Sequence, residues 1–329
     1  MKIAFFDTKS YDIPGFERYA AEHNIEIKFL EPNLNEDTVS LAAGYDAVCV
    51  FVNDIVNAAV VDKLYEMGVK VIALRCAGFN NVDIKACQGK LKVYRVPAYS
   101  PYAVAEHAMA LLLTINRRTH KAYIRTRDFN FSLQGLAGFD LHGKTVGIIG
   151  TGKIGRVFAD ICKGFGMNIL AYDKFPADIP FIKYVELPEL FAKSDIISLH
   201  CPLTEETQHM INAESIAQMK PNVTIVNTSR GGLINTEDLI EGIKEKRIGA
   251  ACLDVYEEEG DLFYEDFSGH IVRDDTLVRL IAMPNVIVSS HQAFLTEEAL
   301  DNIASTTVDN LVKHFAGTPE TYTEVVYTK

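Results

Sequence analysis

One segment near the middle of the chain, TVGIIGTGKIG at residues 145–155, restricts the fold more than any other. Its apolar, β-branched first half predicts a buried strand, and the following RVFADICKGFG has helical spacing. Between them, Gly150, Gly152 and Gly155 form a G-x-G-x-x-G turn. A strand that passes through such a turn into a helix is typical of a doubly wound, parallel α/β unit.

Strand-like and helix-like segments alternate along almost the whole chain, which is the pattern of parallel sheets covered by helices on both faces. Before the crossing segment VPAYSP, the strand candidates are KIAFFD, IEIKF, DAVCVFV, KVIALR and LKVYRV. After it they are KTVGIIG, NILAYD, DIISLH, VTIVNT, GAACLDV and NVIVSSH. The pattern therefore predicts an α/β fold with two doubly wound, Rossmann-like domains and a cleft between them.

The chain of 329 residues is longer than a single core usually supports, so we expect two domains. We predict a nucleotide-binding domain at 101–297 and a discontinuous substrate domain made of 1–100 and 298–329. In this scheme a long helix runs from about Ala103 to Arg127. The last helix, from about Thr296 to Ala316, returns to the first domain.

Composition excludes several classes of protein. The formal net charge of −12 argues against nucleic acid or an anionic membrane surface as the main partner, because both require clustered Lys and Arg. The six cysteines form no C-x-x-C pair and no zinc-like spacing with His, so we expect reduced core thiols and no metal site. No apolar run approaches the roughly 18 residues that span a bilayer. The sequence predicts a soluble, cytoplasmic protein.

The glycine turn has the features of a dinucleotide site. Gly150 permits the tight turn, Gly152 lets the backbone approach a pyrophosphate, and Gly155 allows the helix to pack close to the strand. Asp173 ends the next strand, NILAYD, where its carboxylate would accept the ribose hydroxyls and repel a 2'-phosphate. We therefore expect NAD as cofactor rather than NADP. The alternative is an ordinary glycine turn beside a surface aspartate.

Three later strand candidates are followed by chemically active residues, namely Arg230, Glu259 and His291. In doubly wound sheets, ligands bind at the carboxyl ends of the strands, so these side chains are expected at one edge. Arginine binds a carboxylate with a planar fork, histidine donates a proton near neutral pH, and a carboxylate can hold its other ring nitrogen. The combination predicts reduction of a 2-keto acid. Taken singly, each residue could instead be structural or part of a solvated edge.

Motifs spread over nearly the whole chain resemble those of the D-isomer-specific 2-hydroxyacid dehydrogenases, and within them the fermentative D-lactate dehydrogenases. The matching segments are LRCAGFNNVD, VPAYSPYAVAEHA, VGIIGTGKIG, SLHCPLT, VNTSRGGLI, LDVYEEEGDLF and SSHQAFLT. The resemblance implies that Arg230 binds substrate, that His291 is the acid/base and that Glu259, rather than Glu257 or Glu258, is its partner. The residues then expected to contact NAD are Gly150, Gly152, Lys153, Ile154, Gly155, Asp173, Cys201, Pro202, Thr207, Thr228, Ser229, Arg230 and Asp254.

The resemblance also implies further substrate contacts, all but Phe294 in the first third of the chain. The N–H groups of Ala77 and Gly78 are expected near the substrate carboxylate, and Tyr99 in the same cleft. Phe294 and Phe51 are expected, with Tyr99, around the third carbon of the substrate. Arg75 is left open as either a substrate contact or a scaffold residue.

These expectations combine into an NADH-dependent enzyme that reduces pyruvate to D-lactate. One alternative is a dehydrogenase for a bulkier 2-keto acid. Another is a sensor or corepressor that binds NAD(H) on the same fold without turnover. The resemblance further implies at least a homodimer, and possibly a tetramer, formed through the long helix and the segment NRRTHKAYIRTRDFNFSL.

Overall fold

The computed structural model describes residues 1–260 and 262–327. It divides into a first unit, Met1–Ser100 with the chain from Phe294 onward, and a second unit, Pro101–Ala293. Each unit is built around a parallel sheet, so the prediction of two parallel α/β sheets is confirmed. The chain returns to the first unit at Phe294 rather than at 298, because the Phe294 ring packs there among first-unit aromatic rings.

In the first unit, the strands within the described residues follow the order β2-β1-β3-β4-β5. The elements before the crossing are β1 (Lys2–Phe5), α1 (Ile13–Glu22), β2 (Glu26–Phe29), β3 (Ala47–Val50), α2 (Ala58–Glu66), β4 (Val71–Leu74), α3 (Ile84–Cys87) and β5 (Lys92–Tyr94). Strands β3 and β4 are buried along their whole length, as expected for apolar strands covered on both faces.

The second unit has the strand order β12-β11-β10-β9-β6-β7-β8 in its described part. Its elements are α4 (Pro101–Arg117), α5 (Thr119–Arg127), β6 (Thr145–Ile149), α6 (Lys153–Gly164), β7 (Asn168–Tyr172), β8 (Lys183–Tyr184), α7 (Leu187–Lys193), β9 (Ile196–Leu199), α8 (Ala213–Gln218), β10 (Val223–Asn227), α9 (Thr236–Lys244), β11 (Ile248–Leu253), α10 (Asp275–Ala282) and β12 (Val286–Val288). The final helix, α11 (Glu297–Phe315), belongs to the first unit. The two-residue strand β8 was not predicted.

Several helices begin at a polar residue whose side chain accepts a backbone N–H of the first turn, which stabilises each helix by about 1 kcal/mol. The capping residues are Asn57, Asp83, Asn212, Asn235, Asp274 and Thr296. The predicted start of the last helix at Thr296 agrees with its capping role.

The prediction of one helix from Ala103 to Arg127 was wrong, because the chain breaks it at Arg118. Arg118 adopts φ 52° and ψ 34°, a left-handed conformation that separates α4 from α5. Helix α4 buries nine residues in its own unit, whereas none of the residues of α5 is buried. Neither Gly nor Pro marks the break in the sequence. The helical pattern of the sequence therefore runs through Arg118 and predicts one continuous helix.

All six cysteines are buried, and none forms a disulfide. Burial raises the pKa of the Cys49 and Cys162 thiols to about 12 and that of Cys87 to about 11. Across the residues that the structure describes, no helix is long and apolar enough to cross a membrane.

Candidate active site

The glycine turn that joins β6 to α6 packs more tightly than any residue with a side chain would allow. Gly150 has φ +95°, and a Cβ on it would lie 2.7 Å from the backbone nitrogen of Cys201. A Cβ on Gly155 would lie 2.0 Å from the carbonyl oxygen of Gly150. At Gly152, by contrast, a Cβ would meet nothing within 4 Å. The turn is therefore closed toward the protein. It is open at Gly152, where a ligand could approach the protein backbone.

The open side of the turn leads directly to the start of α6. Gly152 is the N-cap and provides no side-chain cap, and Lys153 and Ile154 form the first turn. The first N–H groups of an α-helix have no partner within the helix and carry a partial positive charge. This end of α6 therefore fits a phosphate group.

Asp173 follows β7 and is tied to the same turn. Its Oδ2 accepts hydrogen bonds from the Thr151 backbone N–H, at 2.5 Å, and from the Thr151 hydroxyl, at 2.9 Å, while Oδ1 accepts the Phe175 N–H at 2.8 Å. Burial opposes ionisation, but these hydrogen bonds and the charge of Arg156 lower the pKa of Asp173 below its ordinary value. A half-buried carboxylate is thus held charged beside the glycine turn.

The loops after β9 and β10 contain the other predicted cofactor contacts. Cys201 is buried, and its carbonyl oxygen accepts the Ser229 hydroxyl at 2.7 Å. Thr207 donates its hydroxyl to the Pro202 carbonyl oxygen at 2.8 Å, so that side chain closes the loop. The Thr228 hydroxyl is buried without a hydrogen-bond partner among the described residues. A polar atom in this state fits a site that a ligand completes.

Strands β10, β11 and β12 end at the same level of the sheet. In the register, Asn227 lies beside Leu253, and Leu253 beside Val288. Arg230 comes three residues after Asn227, and His291 three residues after Val288. The structure therefore brings the predicted arginine and histidine to one edge of the second unit.

His291 is held by groups from the loop that follows β11. Its Nδ1 lies 2.8 Å from Oε1 of Glu259, whose Oε2 accepts the Tyr256 backbone N–H at 3.0 Å. Tyr264 stacks on the imidazole, with 6.1 Å between the ring centroids, and donates its hydroxyl to the His291 carbonyl oxygen at 3.1 Å. No described residue hydrogen-bonds Nε2. That nitrogen is therefore available to a ligand.

Of the three adjacent glutamates, only Glu259 contacts the imidazole in the part of the chain that the structure describes. Glu257 instead contacts His209 and accepts the Thr236 hydroxyl at 3.1 Å. Glu258 is exposed. The geometry agrees with the predicted choice of Glu259.

Arg230 provides a cation without an acidic partner among the described residues. Its Nη1 donates to the carbonyl oxygen of its neighbour Ser229 at 2.7 Å. The next residue, Gly231, lies so close to Tyr256 that a Cβ there would be 2.1 Å from the Tyr256 carbonyl oxygen. The arginine turn thus packs directly against the residue that holds Glu259.

Asp254, one of the predicted NAD contacts, directly follows β11. It is fully buried, and its carboxylate accepts hydrogen bonds from Ser289, Gln292 and Ala293. The Asp254 carboxylate therefore faces the segment that carries His291.

In the first unit, Ala77 and Gly78 follow β4, where neither backbone N–H donates to an acceptor among residues 1–260 and 262–327. Two adjacent free N–H groups fit an anionic oxygen.

The aromatic rings of Tyr11, Phe51 and Tyr99 surround Phe294, at 6.4, 6.1 and 6.2 Å between ring centroids. The sequence analysis missed both Tyr11 and Tyr264, since neither lies in a segment with a recognisable motif.

Arg75 belongs to the scaffold of the first unit. It is only 1% exposed, and its guanidinium lies between the rings of Phe5 and Phe51, at 4.5 and 4.7 Å from their centroids. Its Nε lies 3.3 Å from Asp12, and Nη1 donates to the Phe6 carbonyl oxygen at 3.1 Å. The alternative that Arg75 contacts substrate is therefore not supported.

Comparison with known proteins identifies the family. Residues 109–293 match the model of the D-isomer specific 2-hydroxyacid dehydrogenase, NAD binding domain. A 2-hydroxyacid dehydrogenase homolog of Haemophilus influenzae is 54% identical over 323 residues, which are 96% of this chain and 97% of that protein. The D-lactate dehydrogenase of Escherichia coli is 52% identical over 315 residues, 94% of this chain and 96% of that protein.

The chain belongs to the D-isomer specific 2-hydroxyacid dehydrogenase family. Its fold also superimposes on the apo-structure of D-lactate dehydrogenase from Escherichia coli with a TM-score of 0.91 and 49% identity, covering 99% of this chain and 100% of that one. The predictions of the family, of an oxidoreductase and of NAD as cofactor are confirmed. The open glycine turn, the charged Asp173 and the unpartnered Thr228 hydroxyl fit an NAD molecule.

Proposed function

We propose that this family member is a D-lactate dehydrogenase that reversibly reduces pyruvate to D-lactate with NADH. The observation that carries the proposal is the hydrogen bond between His291 and Glu259 at the sheet edge that also holds Arg230. The E. coli relative named D-lactate dehydrogenase supports the substrate and the product configuration.

In the proposed reaction, Arg230 binds the pyruvate carboxylate with its planar fork. His291 donates the Nε2 proton to the carbonyl oxygen of the substrate, and Glu259 stabilises the imidazolium through Nδ1 before the transfer. When bound, NADH supplies the hydride that the carbonyl carbon accepts. In the reverse direction, neutral His291 takes the proton from the hydroxyl of D-lactate.

The proposed cofactor contacts all lie in the second unit. The start of α6 would hold the pyrophosphate and Asp173 the ribose hydroxyls. The full proposed set is Gly150, Gly152, Lys153, Ile154, Gly155, Asp173, Cys201, Pro202, Thr207, Thr228, Ser229, Arg230 and Asp254. Within it, Thr207 and Asp254 would act by shaping their loops, because their side chains bond to the protein.

Within the first unit, we propose two groups of substrate contacts. The free N–H groups of Ala77 and Gly78 would bind the substrate carboxylate. Phe51, Tyr99 and Phe294 would surround the third carbon, and their close packing favours a methyl group over a larger substituent.

A steady-state assay tests the proposal. NADH oxidation is measured with pyruvate, 2-ketobutyrate, 2-ketoisocaproate and phenylpyruvate, and the product configuration is assigned by chiral chromatography. We expect the highest kcat/KM with pyruvate and D-lactate as product. A preference for phenylpyruvate would favour a dehydrogenase for bulkier acids, and NADH binding without turnover would favour a sensor.

We also propose that the enzyme is at least a homodimer formed through α5 and the segment after it. Helix α5 buries no residue in its own chain, and Phe129, Phe131 and Leu133 beyond it are 83%, 71% and 81% exposed. Contiguous exposed apolar groups of this kind are typical of protein interfaces. Light scattering should give at least twice the chain mass of 36.6 kDa, and Phe129→Ser with Leu133→Ser should reduce it.

A cytoplasmic location is part of the proposal. None of the six cysteines forms a disulfide, which is usual in a reducing compartment. Cell fractionation with a tagged chain tests it.

A further inference from the structure

Asp254, through its buried carboxylate and its backbone carbonyl, accepts hydrogen bonds from four of the five residues 289–293. Oδ1 accepts the Ser289 hydroxyl at 2.6 Å and the Gln292 N–H at 2.9 Å, and Oδ2 accepts the Ala293 N–H at 2.8 Å. The backbone carbonyl oxygen of Asp254 accepts the His291 N–H at 2.7 Å. One residue therefore fixes the backbone on both sides of His291.

This support is needed because His291 adopts an unfavourable backbone conformation. Its φ is 50°, in the left-handed region that is unfavourable for a residue with a side chain. Such conformations persist only where surrounding contacts hold them. The orientation of the imidazole thus depends on the hydrogen bonds to Asp254.

A second histidine, His107 on α4, completes the arrangement around Asp254. Its Nε2 lies 3.1 Å from the Ser289 hydroxyl oxygen and 3.3 Å from Oδ1 of Asp254. The Ser289 hydroxyl donates its hydrogen to Asp254, so it can only accept from His107, and the carboxylate is also an acceptor. His107 must therefore carry its proton on Nε2.

The electrostatics of Asp254 agree with this arrangement. Burial would raise the pKa of its carboxyl group, but the hydrogen bonds from His107, Ser289 and the Ala293 N–H outweigh burial and hold the pKa below its ordinary value. Asp254 is consequently a fixed negative charge. Its carboxylate oxygens accept hydrogen bonds from His107, Ser289, Gln292 and Ala293. Loss of one donor would leave a buried charge incompletely paired.

We propose that His107 is a positioning residue for catalysis: its Nε2–H fixes Ser289 and Asp254, and these fix the backbone that orients His291. The proposal rests on the proposed role of His291 as the acid/base. His107 itself does not touch the substrate or the cofactor in this scheme. It acts only through the buried carboxylate and the serine hydroxyl.

The test compares His107→Phe, which keeps a ring but removes the donor, with His107→Gln, whose side-chain amide can still donate. Met109→Ala is the matched control, because Met109 is buried on the same helix in an apolar cluster and makes no hydrogen bond to Asp254 or Ser289. For each variant, kcat and KM for pyruvate, NADH affinity and thermal stability are measured. We expect His107→Phe to lower kcat about tenfold or more with NADH affinity within twofold, and His107→Gln to recover most of the loss.

Amide hydrogen exchange of the segment 289–296 gives a readout that does not require turnover. We expect His107→Phe and Ser289→Ala to accelerate exchange in this segment about tenfold, and Met109→Ala to leave it unchanged while lowering thermal stability. A wild-type kcat in His107→Phe would overturn the proposal. So would losses of kcat that simply follow the loss of thermal stability in all variants, Met109→Ala included. If wild-type protein reduces no keto acid, the proposed function fails, and the exchange rates still decide whether His107 holds the segment.

Discussion

Glu259 presents one carboxylate oxygen to Nδ1 of His291 at 2.8 Å and the other to the Tyr256 N–H at 3.0 Å. The Tyr256 bond fixes the direction of the carboxylate, and the carboxylate fixes the ring. Because Gly231 packs on Tyr256, the turn that carries Arg230 is part of the same assembly. The loop after β11 therefore supports both Arg230 and His291, the two groups that are proposed to bind the substrate.

Removal of the imidazole should strongly lower turnover and leave cofactor binding nearly unchanged. His291→Gln keeps a polar side chain but cannot donate a proton as an acid, and general acid catalysis contributes roughly 10²–10⁴-fold. We expect kcat for pyruvate to fall by a factor in this range, with NADH affinity, measured by fluorescence, within a few-fold of wild type. The control His270→Gln, at an exposed position, should behave as wild type.

Loss of the charge on Glu259 should have a smaller effect than loss of the imidazole. Glu259→Gln can still accept the Nδ1 hydrogen but no longer stabilises the imidazolium, and a hydrogen bond to a charged group contributes about 1.5–3 kcal/mol. We expect kcat to fall roughly 10- to 100-fold. The same fall in Glu258→Gln, together with an active Glu259→Gln, would assign the role to the neighbour.

Asp173 should determine the choice of coenzyme. Its carboxylate is charged at neutral pH, and the hydrogen bonds from Phe175 and Thr151 lower its pKa below the ordinary value despite burial. Asp173→Ser removes the ribose acceptor and the repulsion of a 2'-phosphate, so the NADH/NADPH ratio of kcat/KM should fall by about 100-fold. Asp178→Ser, an exposed change nearby, serves as the control. Equal use of both coenzymes by wild type would contradict the assignment.

The aromatic cluster around Phe294 should restrict the substrate side chain. Phe294→Ala opens the space between Tyr11, Phe51 and Tyr99, and one methylene in an apolar pocket changes selectivity roughly 10- to 200-fold. We expect the ratio of kcat/KM for 2-ketoisocaproate to that for pyruvate to rise at least tenfold. Phe29→Ala, which removes a ring from the same unit beside Phe5, should leave the ratio unchanged.

Asp54 should make the stability of the protein depend on pH. Burial raises its pKa to about 6, although Arg75 and the N–H groups of Phe51 and Leu34 oppose the shift. Because the folded-state pKa is raised, the protonated carboxyl contributes stability that is full below about 4 and is lost as the pH rises through about 6.

Urea unfolding of wild type and Asp54→Asn at several pH values measures this contribution. The free energy of unfolding of wild type, relative to the variant, should decrease on the order of 3 kcal/mol between pH 4 and pH 8. A difference that does not change with pH would mean that Asp54 titrates normally in the folded protein.

Local sequence patterns predicted most of the sheet and the glycine turn, because buried parallel strands and a G-x-G-x-x-G turn depend on nearby residues. The break at Arg118 and the left-handed backbone of His291 have no such local signal. The conformation of His291 is held by contacts with Asp254, which is distant in the chain. Strand β8 has only two residues and carries no periodicity.

Within the candidate site, the residues at strand ends were predictable, and the residues that support them were not. Arg230 and His291 follow recognisable strands, whereas Tyr11 and Tyr264 lie in loops without a pattern. Asp254 was predicted near the cofactor, but its direction depends on Ser289, Gln292 and Ala293. A side chain's direction is set by tertiary hydrogen bonds, which residue spacing does not encode.

The buried cysteines have a practical consequence. Thiols at high pKa and without solvent access react slowly with maleimides, because the thiolate is the reactive form. A cysteine introduced at an exposed position, such as Asp178 in the second unit or Glu66 in the first, would then be labelled selectively without removing any native cysteine. A donor and acceptor dye placed at such a pair would report the distance between the two units in solution, with and without NADH and pyruvate.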